Sequence, residues 1–519
     1  MNGAEAIAHE MRDVGVTTVF GLPGAHNLAL WPACEAAGLR IVGMRTEQGC
    51  AFAADGYARA TGSAGVALVT SGPGAANTVG AVGEAWASRS PVVVVATDIP
   101  SALRREHTYR GVLHECTDQA ALFAPVTKSQ HEGFMPALVD SVSAPRRPVY
   151  VGIPYDRLTA DAEPVPPLAN RSESRGNARG VLEAIGDSRR PLLWVGGGAR
   201  DAGDGIDALA RKLGAPVVTT YQARGLLAPD HPLLVPAPPH EPEVTGLVTR
   251  ADLAIVIGSD LDQMNTMQWR LPLPERRVAI NLDEADAIKN YAMDDVLVTD
   301  ARITEALAGD LEVREPWAGD LGELGRTVRA RIAADSETAD AIAFLEHTEA
   351  ALPSDATVFA DMCIAGYWLA GHLRVETNRG LHYPMGWGTL GFALPAAIGA
   401  STSRPTVAFV GDGGALFALG ELSALAELNT PCTIVVVDDN GYGMLRYGAH
   451  ETRGNELPPV DFVQAAQAFG IPAERIDGLG PEYAKALAAA VESGTPRVLH
   501  VRARLHPPST TTPFWPIKK

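Results

Sequence analysis

Cysteine is scarce in this sequence and thinly spread. Cys34, Cys50, Cys116, Cys363 and Cys432 are five in 519 residues, odd in number and without a CxxC pair. That argues against a disulfide framework or a zinc site and leaves the thiols as small buried apolar groups. Basic charge is also short: 43 Lys and Arg stand against 61 Asp and Glu, a net charge of −18. Nucleic-acid and anionic-membrane binders need basic patches, so neither partner is expected. Long apolar runs are missing too; the longest, such as residues 92–96, are strand-sized and far short of a membrane span. The opening MNGAEAIAHEMRDVG carries Glu and Asp and no long apolar core, so it does not read as a signal peptide, and a cytoplasmic location is the expectation.

What is there is an alternation of short β-branched runs with amphipathic helical stretches, the pattern of parallel α/β sheets. With 46% hydrophobic and 20% charged residues, a chain of 519 divides into three domains at roughly 100–200 residues each. The expected fold class is α/β with three doubly wound parallel-sheet domains. The first, residues 1–160, has strands predicted over 17–20, 41–45, 66–70, 92–96 and 149–153 and a helix over 48–59. A linker rich in Pro, Ser, Arg and Asn, 163–177, leads to the second, 178–310, with strands at 192–195, 216–220, 253–257 and 278–282. A charged helical stretch, 321–349, bridges to the third, 351–505, with strands at 358–360, 407–410, 433–437 and 498–501. Residues 506–519 form a tail too rich in Pro and Thr for a helix. No short repeat is visible, and sequence identity does not show the first and third regions to be copies of one fold.

The strongest local pattern is TVAFVGDGG, residues 406–414, where a buried strand runs into Gly411, Asp412, Gly413 and Gly414, with a helical segment, 415–428, behind it. Glycines let the backbone approach a ligand closely, and a helix start offers free N–H groups to an anion. Asp412 beside a phosphate would be repulsive unless a cation stood between them, so the pattern asks for Mg2+ or a similar hard ion. A second strand ends in Asp438, Asp439, Asn440, Gly441, Tyr442 and Gly443, a further oxygen source at a strand end, where parallel sheets bind ligands. The alternative for either piece alone is a tight or solvated acidic turn. Three more segments stand out: RTEQGCAFAADGYARATG at 45–62, SGPGAAN at 71–77 and PMGWGTLGFALPAAIGA at 384–400. Glu47, between a strand and a helix, could simply favour the helix dipole.

Together these segments resemble the thiamine-diphosphate enzymes, in the branch of acetolactate synthase and benzoylformate decarboxylase. The resemblance spans essentially the whole chain, in the order pyrimidine-binding, central and diphosphate-binding domains. It implies Mg2+ ligands Asp412, Asp439 and the Gly441 carbonyl, with Asn440 in place of Asp439 if the register slips by one. Asp438-Asp439 stands where the family has Asn-Asn. It implies that Glu47 bonds N1′ of the aminopyrimidine and activates the cofactor, with Ser71, Gly72, Pro73 and Asn77 beside that ring. The Gly388 carbonyl would accept the 4′-amino group and Leu390 would wedge the cofactor into its V shape, ordinary core packing being the alternative for Leu390. Gly411, Gly413, Gly414, Tyr442, Gly443 and Met444 complete the cofactor contacts. His114, in Leu113-His114-Glu115, replaces a usual Gln and is either a proton shuttle or a structural histidine. His382, Tyr383, Met385, Trp387, Met444, Leu445 and Tyr447 are candidates for the substrate cavity, and Arg104 and Arg105 for a substrate carboxylate.

The implied activity is decarboxylation of a 2-oxo acid, ending in an aldehyde or in carboligation with a carbonyl acceptor to a 2-hydroxy ketone. A non-decarboxylating lyase or hydrolase, or a regulatory homologue without turnover, is the alternative. The flavin FAD, which acetolactate synthases hold in the central domain, is not expected, because residues 258–265, GSDLDQMN, lack the Arg-bearing pattern. The family's site lies between two subunits, so a homodimer is the implied minimum, with tetramers common.

Overall fold

The computed structural model describes residues 1–105, 108–168, 175–309, 311–447 and 454–510. Three six-stranded sheets follow one another along the chain. The first runs, edge to edge, Arg40–Gly43, Thr18–Gly21, Gly65–Val69, Val92–Asp98, Val149–Pro154 and Gln130–His131, all parallel. The third runs Leu381–His382, Thr357–Ala360, Thr406–Gly411, Cys432–Asp438, Arg497–Arg502 and Ala473–Asp477, again all parallel. Counted along the chain within each sheet, both have the strand order 2-1-3-4-6-5. The likeness between the two outer regions therefore lies in topology, where no repeat was readable in sequence.

The middle sheet runs Arg175–Gly176, Asp295–Val298, Arg276–Asn281, Leu253–Ile257, Pro191–Val195 and Val217–Thr219. Its first pairing, Gly176 on Leu297, is antiparallel, so this sheet is not purely parallel as expected. The inner strands match expectation because they are covered on both faces: every residue of Val92–Asp98, Pro191–Val195 and Cys432–Asp438 is buried, and such strands read as unbroken apolar runs. Most of the strands that pattern reading missed are edges; the exception, Asp295–Val298, lies between Arg276–Asn281 and the two-residue Arg175–Gly176. Gln130–His131 and Leu381–His382 are two residues long, and Ala473–Asp477 is mostly solvent-facing, so neither length nor alternation gives them away.

Two predicted helices are each broken in two. The bridge consists of Leu321–Ala334 and Ala339–Ala351; between them Thr338 Oγ1 donates to the Ile332 carbonyl and the Asp335 carboxylate accepts from the Glu337 N–H, local bonds that replace helical ones. The segment after the GDGG turn starts at Asp412 itself, ends at Phe417 and resumes as Glu421–Leu428.

The first and third domains are joined by a close helix pair. Glu47–Thr61 packs on Ala393–Ser401, and both helices are rich in Ala and Gly. A Cβ on Gly56 would lie 2.0 Å from the Ala396 carbonyl oxygen, and a Cβ on Gly399 would lie 2.0 Å from that of Ala53. Only glycine permits this approach. Nearby, buried Arg59 donates to Asp55 at 2.6 Å and to Glu84 at 3.1 Å, so the burial of charge is matched by paired hydrogen bonds.

Candidate active site

The third sheet ends in a cavity of about 410 Å3. Gly411, Asp412, Gly413 and Gly414 line it from one strand end, and Asp439, Gly441, Tyr442, Gly443 and Met444 from the next. Gly388 and Leu390 line it from the loop before Ala393–Ser401. The glycines are needed: a Cβ on Gly413 would stand 2.6 Å from the Tyr442 ring, and Gly388 has φ +74°, a left-handed conformation. Leu390 is half-buried at the cavity edge rather than enclosed in core.

The acidic pair at the end of Cys432–Asp438 divides its work. Asp438 accepts from His500 Nε2 at 2.7 Å and from the Asn440 N–H at 2.9 Å. Burial raises its pKa, but the His500 and Asn440 hydrogen bonds and the charges of His500 and Arg502 together outweigh that and lower it. Asp439 faces the cavity. Its Oδ1 lies 3.0 Å from Arg446 Nη1 as an ion pair without the alignment of a hydrogen bond. Asn440, with φ +61°, is not among the cavity residues; its carbonyl accepts from Arg446. Burial, then the charges of Asp439 and Asp438, push the Asp412 carboxyl up to about 7. Among the described residues no three His, Cys, Asp or Glu side chains converge as a metal cluster; Asp412, Asp439 and Gly441 line the cavity together.

The sequence reading missed Asp361. It is fully buried beside Gly414, and its Oδ2 accepts the Gly391 N–H at 2.9 Å. Burial pushes its carboxyl up to about 7 against several backbone N–H bonds. It ties the Gly388–Leu390 loop to the GDGG turn. An acid alone after a strand, far from either motif, carries no pattern by which sequence could have found it.

Glu47, Ser71, Gly72, Pro73, Asn77 and His114 do not line this cavity. They form a second cluster on the first domain. Thr46 caps the helix, and Glu47 is its first residue. Glu421, from the third domain, accepts from the Arg45 and Thr46 N–H groups at 3.0 Å each and from Thr46 Oγ1 at 2.8 Å, clamping that helix start. Glu47 Oε2 accepts from Asn77 Nδ2 at 3.0 Å. Asn77 ends the short helix Pro73–Ala76. Gly72, φ +60°, sits against His114, whose carbonyl oxygen would be 2.4 Å from a Cβ there. Gln119, fully buried, accepts the Gly72 N–H and donates to the Thr97 carbonyl at 2.9 Å, holding the turn.

Of the cavity candidates, Tyr383, Met385, Trp387, Met444 and Leu445 line it, together with Met264 and Met362. Two do not. His382 is buried in core against Phe359, and Tyr447 packs on His506, because a two-residue edge strand and a short helix turn these rings away. Arg104 pairs with Asp98, and with Arg105 lines a different cavity, beside the end of strand Val92–Asp98. The 511–519 part of the tail lies outside the described residues.

Paired sheets of one topology, a glycine-lined acidic cavity on one and an acid-bearing helix start on the other, define a cofactor enzyme of the α/β class. Comparison with known proteins gives the family. Residues 1–122 match the N-terminal TPP binding domain of thiamine pyrophosphate enzymes, 178–308 the central domain and 361–501 the C-terminal TPP binding domain. A probable 2-ketoarginine decarboxylase of Pseudomonas aeruginosa is 34% identical, over 91% of this chain and 88% of the relative. A probable acetolactate synthase large subunit of Methanocaldococcus jannaschii is 29% identical, over 96% and 92%. The chain belongs to the thiamine pyrophosphate enzyme family. The fold is shared with the thiamine diphosphate-dependent 4-hydroxybenzoylformate decarboxylase of Rhodococcus jostii RHA1, with a TM-score of 0.83 at 23% identity over 98% of this chain and all of that one.

Proposed function

We propose that this protein is a thiamine-diphosphate-dependent enzyme that decarboxylates a 2-oxo acid, releasing an aldehyde or passing the remaining carbon to a carbonyl acceptor. The observation that carries the reading is the pairing of the Asp412–Asp439 cavity with the Glu47–Asn77 turn in a chain of this family. The names of its relatives, a 2-ketoarginine decarboxylase and an acetolactate synthase, support the reaction class.

Asp412, Asp439 and the Gly441 carbonyl hold Mg2+ in this reading, and the glycines at 411, 413 and 414 admit the diphosphate. Two features support a cation there: burial together with the charges of Asp439 and Asp438 raises Asp412, and the buried Asp439 Oδ1 meets a positive charge, Arg446 at 3.0 Å, without an aligned hydrogen bond. The Gly388 carbonyl and the Leu390 side chain orient the aminopyrimidine, and Met444 covers the ring system. When bound, thiamine diphosphate supplies the carbon nucleophile that attacks the 2-oxo group and accepts the electrons left as CO2 departs. Glu47 holds and returns the proton at N1′ of the pyrimidine, and Asn77 fixes its carboxylate. His114 is the acid–base group at the substrate.

Within one chain Glu47 does not line the cavity, and the reading includes a homodimer in which Glu47 of one copy meets the cavity of the other. Exposed apolar side chains support this: Trp387, Phe417 and Leu445 on the third domain, and Leu28 and Leu113 on the first. Tetramers and a cytoplasmic location are part of the same reading. No helix among the described residues is long and apolar enough to cross a membrane.

The test is CO2 release from pyruvate, 2-oxobutanoate, benzoylformate and 2-ketoarginine with Mg2+ and thiamine diphosphate. Release that requires cofactor and Glu47 is expected. No release from any acid by protein with bound cofactor would overturn the decarboxylase reading.

A further inference from the structure

His26 carries no motif, yet it completes a short chain of hydrogen bonds. Its Nδ1 lies 2.5 Å from Ser71 Oγ, and Ser71 Oγ lies 3.2 Å from His114 Nδ1. The two imidazoles stand edge to face, 5.0 Å between ring centres, and His26 stacks on Tyr155 at 4.5 Å. A hydroxyl has one proton. When Ser71 donates to His114 Nδ1, it can only accept from His26, which must then carry its proton on Nδ1.

His114 is held for a purpose. It has φ +64°, a left-handed backbone that a non-glycine residue keeps only where its surroundings fix it. Here Gly72 meets its carbonyl, and the neighbouring Glu115 carboxylate turns back to accept the Arg110 and Val112 N–H groups at 2.9 Å each. The turn at 71–77 thus fixes Glu47 through Asn77 and both imidazoles through Ser71. The titratable groups facing His26 are His114 and Tyr155.

We propose that His26 is a positioning residue that sets the tautomer of His114 and resupplies its proton through Ser71. This rests on the decarboxylase reading above. At the substrate carbon that has lost CO2, a C–H bond forms with the electron pair left by that loss, and the N–H bond at His114 Nε2 breaks. His114 Nδ1 takes the Ser71 proton, Ser71 takes the proton from His26 Nδ1, and solvent returns one to His26 Nε2. Each residue ends neutral but with the two imidazole tautomers inverted; exchange of both rings with solvent and rotation of the Ser71 hydroxyl restore the starting tautomers, and one solvent proton is consumed per CO2 released. A chain that delivers a proton to that carbon favours aldehyde release over carboligation, which needs the same carbon unprotonated.

The first test needs no turnover. Carbethoxylation of His114 by diethyl pyrocarbonate, followed by peptide mapping from pH 5 to 9, reads its protonation in wild type, His26→Asn, His26→Phe and Ser71→Ala. Asn keeps an N–H toward Ser71 but cannot titrate, and Phe keeps the stack on Tyr155. A midpoint for His114 displaced by about half a pH unit or more in His26→Phe and Ser71→Ala is expected. An unchanged midpoint in both overturns the relay. The second test uses holoenzyme and the 2-oxo acid turned over fastest. Reduction of 2,6-dichlorophenolindophenol intercepts the product carbon before protonation. In His26→Asn, aldehyde release should fall about tenfold or more with dye reduction and KM unchanged. Equal loss of both rates, or no loss of aldehyde release, overturns the proposal. If wild type turns over no 2-oxo acid, the functional reading fails, while the labelling still decides whether the three side chains are coupled.

Discussion

Asn77 donates its side-chain amide to the Glu47 carboxylate at 3.0 Å, across thirty residues of chain that close on themselves between two strand ends. The bond fixes which way Glu47 points, and among the described residues no other side-chain hydrogen bond engages its carboxylate. Glu47→Gln is expected to keep the fold and to retain thiamine diphosphate, but to lose about 100-fold or more in turnover, with a parallel loss in the rate of hydrogen–deuterium exchange at the cofactor C2. Asn77→Ala should lose less, about tenfold, since the acid remains. Exchange measured by NMR after acid quench checks both.

The carboxyl of Asp412 is ordinarily near 3.8 and stands at about 7 in the folded protein. Between those values the native state holds a proton that the unfolded chain does not. Without metal, this group therefore costs stability progressively as pH rises from 3.8 to about 7, and no more above that. Mg2+ requires the ionised form, so its binding releases a proton below about pH 7. The apparent affinity for Mg2+ should rise by up to about tenfold per pH unit toward 7 and flatten beyond. Calorimetric titration in two buffers of different ionisation enthalpy checks the proton count.

Asp439→Asn removes one of the two charges that raise Asp412. The plateau in Mg2+ affinity should then begin at a lower pH, and proton release near pH 6.5 should shrink. Because an anionic ligand is lost, affinity at pH 8 should fall as well. A variant whose pH profile is unchanged would mean that Asp439 does not face the ion.

Leu390, half-buried at the cavity edge, is expected to act on geometry and not on cofactor affinity alone. Leu390→Ala should lose about tenfold to a hundredfold in kcat, the range expected when a reactive group is displaced by about 1 Å. Circular dichroism should show the protein folded.

The Gly56 contact allows no side chain. Gly56→Val puts a Cβ 2.0 Å from the Ala396 carbonyl oxygen, so the helices must separate. A loss of at least about 1–3 kcal/mol in unfolding free energy is expected, from overpacking alone. Gly480, with nothing within 4 Å of its Cβ position, is the control: Gly480→Ala should be near neutral.

How far sequence could be read depended on what each feature exposes. Buried inner strands, such as Val92–Asp98, announce themselves through unbroken apolar runs. The GDGG turn and the acid at 47 are local patterns whose residues also end up together. Asp361 and His26 have no local pattern. Each matters through a partner distant in the chain, Gly391 for one and Ser71 for the other. His382 shows the converse. It sits among cavity candidates in sequence, but the alternation of a strand turns it into the core. The separation of Glu47 from the cavity within one chain is likewise a matter of three-dimensional placement.

The two helices that meet through glycine occupy equivalent positions in their sheets, each leading from the second strand to the third. Their contact is reciprocal: Gly56 meets the Ala396 carbonyl, and Gly399 meets that of Ala53. A self-complementary contact of this kind is what two identical units make across a two-fold axis. The chain thus reproduces within itself the geometry of a two-fold pair, with Glu47 opening the helix of one unit and the acidic glycine turn at 411–414 belonging to the other.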